Sequence, residues 1–278
     1  MSMTVRIRSA RPSLRRGLLS CALAASLLLA GMPGAMACPA SGRPSPLVLT
    51  KGAKALREGA PLRILAIGSS STAGAGASSA DANYPSQLAR RLETAFGPGR
   101  VEITNAGVSG ETGPGTLRRL QSFMANPPAP DLVIWQVGTN DVIFGGDPAS
   151  LRQLVTTGLD AIKATGAAAL VIDQQYFPGI GNAERYEAFV AAVDGAAAAR
   201  GASVMQRYRM MKQWAAQDPQ GFKASLAWDS FHQGDKGYAC LAELIAPAIV
   251  SGVAAAGGSS AKPKAAPSPR ADAGAPLR

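Results

Sequence analysis

The sequence predicts an α/β fold built on a parallel sheet, and three observations predict it. Short apolar runs alternate with longer segments of helical period. Some of these runs are apolar almost throughout, as strands buried on both faces must be. The first three runs end in polar turns, GSSSTAG, GVSGET and GTND. Strand–helix alternation of this kind gives a sheet with helices on both faces.

The elements follow in order. LRILAIG at 62–68 is the first buried strand. In YPSQLARRLETAF, 84–96, Leu88, Leu92 and Phe96 recur every fourth residue, which puts them on one helix face. VEITNAG, 101–107, is the second strand, and TLRRLQSFM, 116–124, a short helix. DLVIWQVG, 131–138, is the third strand, followed by a helix over 151–166 that stops at Gly166. AALVIDQQ, 168–175, and ASVMQR, 202–207, are the fourth and fifth strands, on either side of a helix over 183–201. A helical stretch, YRMMKQWAAQ, comes next, and the last helix starts just past His232, with Pro247 expected to bend or break it.

The two ends read differently from this domain. Residues 1–37 carry five arginines and no acid, then the apolar run LLSCALAASLLLAG, then Ala35-Met36-Ala37. A basic start, a short apolar stretch and a small-x-small site form the pattern of a secretory signal peptide, too short for a membrane span. The expectation is cleavage near Ala37, hence export to the periplasm or beyond, with no stable membrane insertion afterwards. Arg15-Arg16 resembles a twin-arginine signal, and Cys38 offers a lipid-attachment alternative to cleavage alone. From Gly257 to Arg278 the chain is rich in Pro, Ala, Gly and Ser, a composition with little to bury, and a disordered tail is expected. Residues 38–256 remain as one compact domain with enough chain for a large core.

Partitioning the charge changes its meaning. The chain carries +10, but the leader and tail hold most of it, and the folded part is left near +2. Neither this nor any aromatic–basic stripe argues for nucleic acid. Cys21 leaves with the leader; Cys38 and Cys240 remain, and an oxidising compartment would permit a disulfide between them.

His232 is the only histidine, and Asp229 precedes it by three residues in DSFH. An imidazole is the usual base near neutral pH, and an acid one turn away can fix its tautomer. A nucleophile waits far upstream, where the first strand runs into the Ser-rich turn holding Ser70. A serine hydroxyl needs both a base and donors for the oxyanion it creates. Gly110 can offer a backbone N–H at close range, and Asn140 its amide. Each motif alone also reads as an ordinary turn. Asp141 and Thr72 read as loop-holding residues. No metal or other cofactor is expected, since no ligand cluster of metal spacing is present.

Together these strings resemble the SGNH hydrolase superfamily, also called GDSL esterases, over roughly residues 62–250. Its four blocks fall on GSSSTAG with Ser70, NAGVSGET with Gly110, GTND with Asn140, and DSFH with Asp229 and His232. The resemblance implies a three-layer α/β/α sandwich with a five-stranded parallel sheet, similar to flavodoxin. It implies a Ser70–His232–Asp229 triad and an oxyanion hole from the Ser70 N–H, the Gly110 N–H and the Asn140 amide. The first block departs from the family, reading GSS where GDS is usual. Three adjacent serines, Ser69 to Ser71, then stand where the nucleophile is assigned by the block alone. The implied substrate is a small-molecule or glycan ester. A carboxylester hydrolase on short acyl or aryl esters leads, followed by a carbohydrate O-acetylesterase and a non-catalytic glycan-binding module. Trp228 and Tyr176 are candidates for the substrate cleft. Phe177 and Trp135 are bulky too, though Trp135 reads more readily as core.

Overall fold

The computed structural model describes residues 38–257. The expected leader, and the tail beyond Gly257, lie outside the described residues. Five strands, β1 (Leu62–Gly68), β2 (Val101–Gly107), β3 (Leu132–Gln136), β4 (Ala168–Ile172) and β5 (Ser203–Met205), form one sheet in the order β2-β1-β3-β4-β5. Every pairing is parallel. The chain steps from β1 outward to β2, then crosses back to β3 and continues to β5. That reversal opens a crevice beyond the carboxyl ends of β1 and β3.

Ten α-helices and two short 3-10 turns, Ala40–Gly42 and Ala80–Ala82, complete the described chain: α1 (Thr50–Arg57), α2 (Ser70–Ala73), α3 (Tyr84–Phe96), α4 (Gly113–Ala125), α5 (Thr139–Ile143), α6 (Pro148–Ala164), α7 (Ala183–Arg200), α8 (Arg207–Gln217), α9 (Pro219–Ser225) and α10 (Asp235–Ala256). They divide between the two sheet faces, and strand alternation decides the division. Ile64, Ala66, Ile134 and Ile172 point to one side, against Leu88 and Leu92 of α3, Met211 of α8, and Leu241 and Ile245 of α10. Leu65, Ile67, Val133 and Val171 point to the other, against Leu120 of α4, Val155 and Leu159 of α6, and Val193 of α7. Trp135 belongs to this second core: it is fully buried, and any Cβ at Gly158 would strike its ring.

Several boundaries move from the sequence expectation. β4 ends at Ile172 instead of 175, freeing Asp173, Gln174 and Gln175 for loop contacts. The short helices α2, α5 and α9, and α1, carry too few apolar repeats to be seen from periodicity. Pro247 neither breaks nor ends α10. It lies on the exposed side of the helix, as does Glu243, whose carbonyl loses its donor and can turn to water. The 22-residue α10 is apolar enough to match a membrane span by composition. Here Tyr238, Leu241, Ile245 and Ile249 are spent on the core.

Cys38 and Cys240 are joined as a disulfide, with Cα atoms 5.3 Å apart, closing a separation of 202 residues onto α10. Cross-linking so long a loop restricts the unfolded chain and is worth about 2–5 kcal/mol. Reduction is therefore expected to lower the unfolding midpoint, and intact-mass measurement should find the oxidised chain two hydrogens lighter. An unchanged midpoint would show that the bridge contributes nothing to stability.

Candidate active site

Parallel pairing sets the site before any side chain is considered. Gly68, the last residue of β1, pairs with Gly107 of β2, and Ile67 pairs with Trp135 of β3. The three strands therefore release their chains side by side at the same edge. Ser70 opens α2 after β1, Gly110 lies in the turn after β2, and Asn140 lies in the first turn of α5 after β3.

The last polar block closes onto this edge from outside the sheet. Leu226 bridges Gln233 in antiparallel fashion, and the Ala227 N–H donates to the His232 carbonyl at 2.8 Å. Between them the chain makes a tight loop, with Ser230 at φ 55°, the one described non-glycine residue in the left-handed region. Such a backbone is costly, and it persists where surrounding bonds hold it. Here Asp229 Oδ1 accepts from the N–H groups of Phe231 at 3.0 Å and His232 at 2.9 Å. Its other oxygen meets His232 Nδ1 at 2.5 Å. Partial burial works to raise the Asp229 carboxyl. The bonds from the His232 ring and from both N–H groups outweigh it and hold the acid below the usual carboxylate range.

That contact fixes the tautomer. A carboxylate can only accept, so Nδ1 carries the proton and Nε2 presents its lone pair. Nε2 lies 2.9 Å from Ser70 Oγ. The structure thus joins Ser70, His232 and Asp229 in one chain of hydrogen bonds, able to draw the serine proton toward the imidazole.

The ambiguity among three serines disappears. Ser69 binds Gln136 Oε1 through its N–H at 2.9 Å and its hydroxyl at 3.1 Å. Ser71 donates its hydroxyl to Gln175 Oε1 at 2.9 Å. Only Ser70 of the three bonds the imidazole. Thr72 also donates to Gln136, at 3.3 Å, in keeping with a loop-holding part.

Asn140 is nearly buried, and its Nδ2 donates to the Glu111 carbonyl at 2.8 Å. An amide carries two N–H bonds, so one fixes the orientation and one is left for the site. Gly110, one residue before Glu111, is exposed and has φ +78°, a conformation that a side chain would strain. The turn around it is held by Arg119, whose Nε meets Glu111 Oε1 at 3.0 Å while Nη1 donates to the Ala106 carbonyl at 2.7 Å. Asp141 accepts from the Gly113 N–H at 2.9 Å, so the turns after β2 and β3 are tied directly.

Two further residues escape sequence reasoning. Gly76 has φ +88°, and a Cβ there would lie 2.6 Å from the Gln233 carbonyl and 3.1 Å from His232 Cβ. The chain beyond Ser70 thus packs directly on the histidine loop. Gln175, wholly buried, accepts from Ser71 and donates through Nε2 to the Phe231 carbonyl at 2.8 Å. Its own carbonyl receives the Tyr186 hydroxyl at 2.7 Å. One amide therefore staples the serine turn to the histidine loop. Only the early end of β4 lets it reach, and no sequence motif marks it. Gln175→Ala is expected to cut kcat for an ester by roughly 10-fold with little change in KM, because alignment and not binding is lost. A matching rise in KM instead would place Gln175 in substrate binding.

The expected cleft residues separate. Trp228 is 94% exposed beside Asp229 and has space around it. Tyr176 is partly buried, with its ring on the core side, 5.9 Å from Tyr208 and 5.7 Å from Phe222, because those aromatics offer it apolar cover. Its neighbour Phe177 goes the other way, meeting Phe231 edge-on at 4.8 Å, and Phe231 in turn packs on the His232 ring at 4.7 Å.

Comparison with known proteins bears on the family and the fold. The profile of the non-GDSL lipase-like family matches residues 35–255. Esterase TesA of Pseudomonas aeruginosa is 36% identical over 98 residues, 35% of this chain and 47% of TesA, so the match spans about half that relative's length. Among solved structures, a crystal structure of TesA aligns at 25% identity and TM-score 0.57, covering 67% of this chain and 97% of the other. A lipase/acylhydrolase from Enterococcus faecalis aligns at 24% identity and TM-score 0.56, covering 68% and 95%, a likeness of fold. With four blocks, a flavodoxin-like sheet and the family profile over most of its length, the chain belongs to the non-GDSL lipase-like family of the SGNH hydrolase superfamily.

Proposed function

We propose that this protein is an exported serine esterase that hydrolyses carboxylic esters with short acyl or aryl groups through an acyl-enzyme intermediate. The observation that carries the reading is the unbroken contact from Ser70 Oγ to His232 Nε2 and from His232 Nδ1 to Asp229. In this mechanism Ser70 attacks the ester carbonyl while His232 takes its proton, then returns it to the leaving alkoxide. The acyl group stays on Ser70 until a water, deprotonated by the same imidazole, releases it as the acid. The Ser70 N–H, the Gly110 N–H and the free N–H of the Asn140 amide receive the developing negative charge.

Export rests on the leader pattern, and the Cys38–Cys240 bridge supports an oxidising destination. Trp228 favours a second reading on acetylated glycans, since an exposed aromatic beside the site suits a sugar ring.

The test is a panel of p-nitrophenyl esters of increasing acyl length beside an acetylated xylan, all with the purified mature chain. Turnover highest on short acyl esters supports the proposal. Acetate release from the glycan that falls on Trp228→Ala, with p-nitrophenyl acetate unaffected, selects the second reading. No turnover of any ester leaves a glycan-binding module. Asn140→Ala should lower kcat by about 100-fold or more with KM little changed, because its donor acts mainly in the transition state. Equal kcat in the variant would reduce Asn140 to a loop brace.

A further inference from the structure

The stretch that follows α2, residues 74–78, belongs to no helix or strand and is partly exposed. It nonetheless has to keep Ser70 Oγ at 2.9 Å from His232 Nε2. The first turn of α10 grips this stretch at two points. Tyr238 has a wholly buried side chain, and its hydroxyl donates to the Ala75 carbonyl at 2.6 Å. The Ala75 N–H in turn donates to the Ser70 carbonyl at 2.9 Å. A single residue therefore links the Tyr238 hydroxyl to the Ser70 backbone. At the far end of the stretch, Asp235 accepts from the Ser78 N–H at 2.7 Å and from the Ser78 hydroxyl at 2.6 Å.

The start of α10 is itself tied to the histidine loop. The Tyr238 N–H donates to the Gly234 carbonyl at 3.0 Å, and the Gly234 N–H to the Ser225 carbonyl at 2.9 Å, beside the bridge from Leu226 to Gln233. The helix start and His232 are thus fixed to each other. The two parts of the Tyr238 side chain have separate uses. Its ring packs in the core, where a phenylalanine ring would fit as well, and only the hydroxyl reaches Ala75. Burial holds that hydroxyl above its ordinary range, so it stays protonated, and a donor, across the pH range where the imidazole acts as base.

We propose that Tyr238 is a positioning residue for ester hydrolysis, its hydroxyl fixing the backbone behind Ser70 so that Oγ meets the imidazole. Resting on the esterase reading above, this gives the Ser70–His232 contact two separate supports. Gln175 joins the histidine loop to Ser71, the residue after Ser70. Tyr238 joins the helix that follows the histidine loop to Ala75, the residue that holds the Ser70 carbonyl. Tyr238 touches no reacting atom and reaches Ser70 only through Ala75. A productive attack geometry is lost over a displacement of about 1 Å, which one unanchored peptide unit can supply.

The test is Tyr238→Phe, which removes one oxygen and keeps the ring. It should lower kcat for p-nitrophenyl acetate by roughly 10-fold with KM little changed, since alignment is lost and binding is not. The rate at which a fluorophosphonate labels Ser70 should fall by a similar factor. Both are read well below the thermal midpoint of each chain, so that lost stability does not enter. In a Ser70→Ala background the same change should leave the residual rate as it was, because Tyr238 acts through Ser70. A lowered midpoint with wild-type kcat and labelling rate would make Tyr238 a core brace and overturn the proposal. So would a rise in KM at unchanged kcat, or a further loss in the Ser70→Ala background. A wild-type chain inert towards every ester would remove the esterase reading and this role with it. Normal turnover in Tyr238→Phe beside an active wild type would remove this role alone.

Discussion

Ser70→Ala is expected to leave a folded protein and to lower kcat for a p-nitrophenyl ester by roughly 10⁴-fold or more. The hydroxyl it removes is the only one of three adjacent serines in contact with the imidazole. Ser69 and Ser71 are committed to Gln136 and Gln175, and neither can substitute without breaking the turn. A fluorophosphonate should therefore label one residue, Ser70, in full. Labelling at Ser69 or Ser71, or a Ser70→Ala enzyme of normal rate, would remove the nucleophile from the mechanism. Folding of the variant is checked by its thermal midpoint, since a serine-to-alanine change creates almost no cavity.

The second large effect concerns the base. His232→Ala should abolish nearly all turnover, because the chain holds no other histidine to act as base. Asp229→Ala should do less damage: the imidazole remains, without its fixed tautomer. The sign of the Asp229 shift separates the two groups. Its carboxyl is held below the ordinary range, so it is ionised throughout the working range and adds no limb there. For the same reason the stability it contributes is present above the unfolded carboxylate pKa and is lost only as pH falls through the lowered folded value. Rates of wild type and both variants between about pH 4 and 10 decide the matter. A His232→Ala enzyme active at neutral pH would end the proposed mechanism.

Much of the architecture was legible in the residues. β1 and β3 are apolar along nearly their whole length, a pattern only a doubly covered strand sustains. Leu88 and Leu92 marked α3 by spacing, and Gly201, at φ +66°, ends α7 just where the sequence expects the helix to stop. Elements of one turn or two were not legible. α2 and α5 are shaped by the turns they cap, and their residues follow contacts to Gln136 and Glu111 instead of a period. Pro247 does not break α10, because its effect depends on which helix face it occupies, a tertiary fact.

By itself the sequence determined the strand–helix alternation, the four polar blocks with Asp229 and His232 three residues apart, and the single imidazole. These are local: each is a run, a turn or a spacing within a few residues. The tertiary structure alone decided which serine meets His232, that Gln175 spans from Ser71 to the histidine loop, and that Tyr176 turns inward. Each of those outcomes joins side chains many residues apart. A hydrogen bond closes only when strand register and loop packing bring donor and acceptor to about 3 Å, and no local pattern of residues carries that distance.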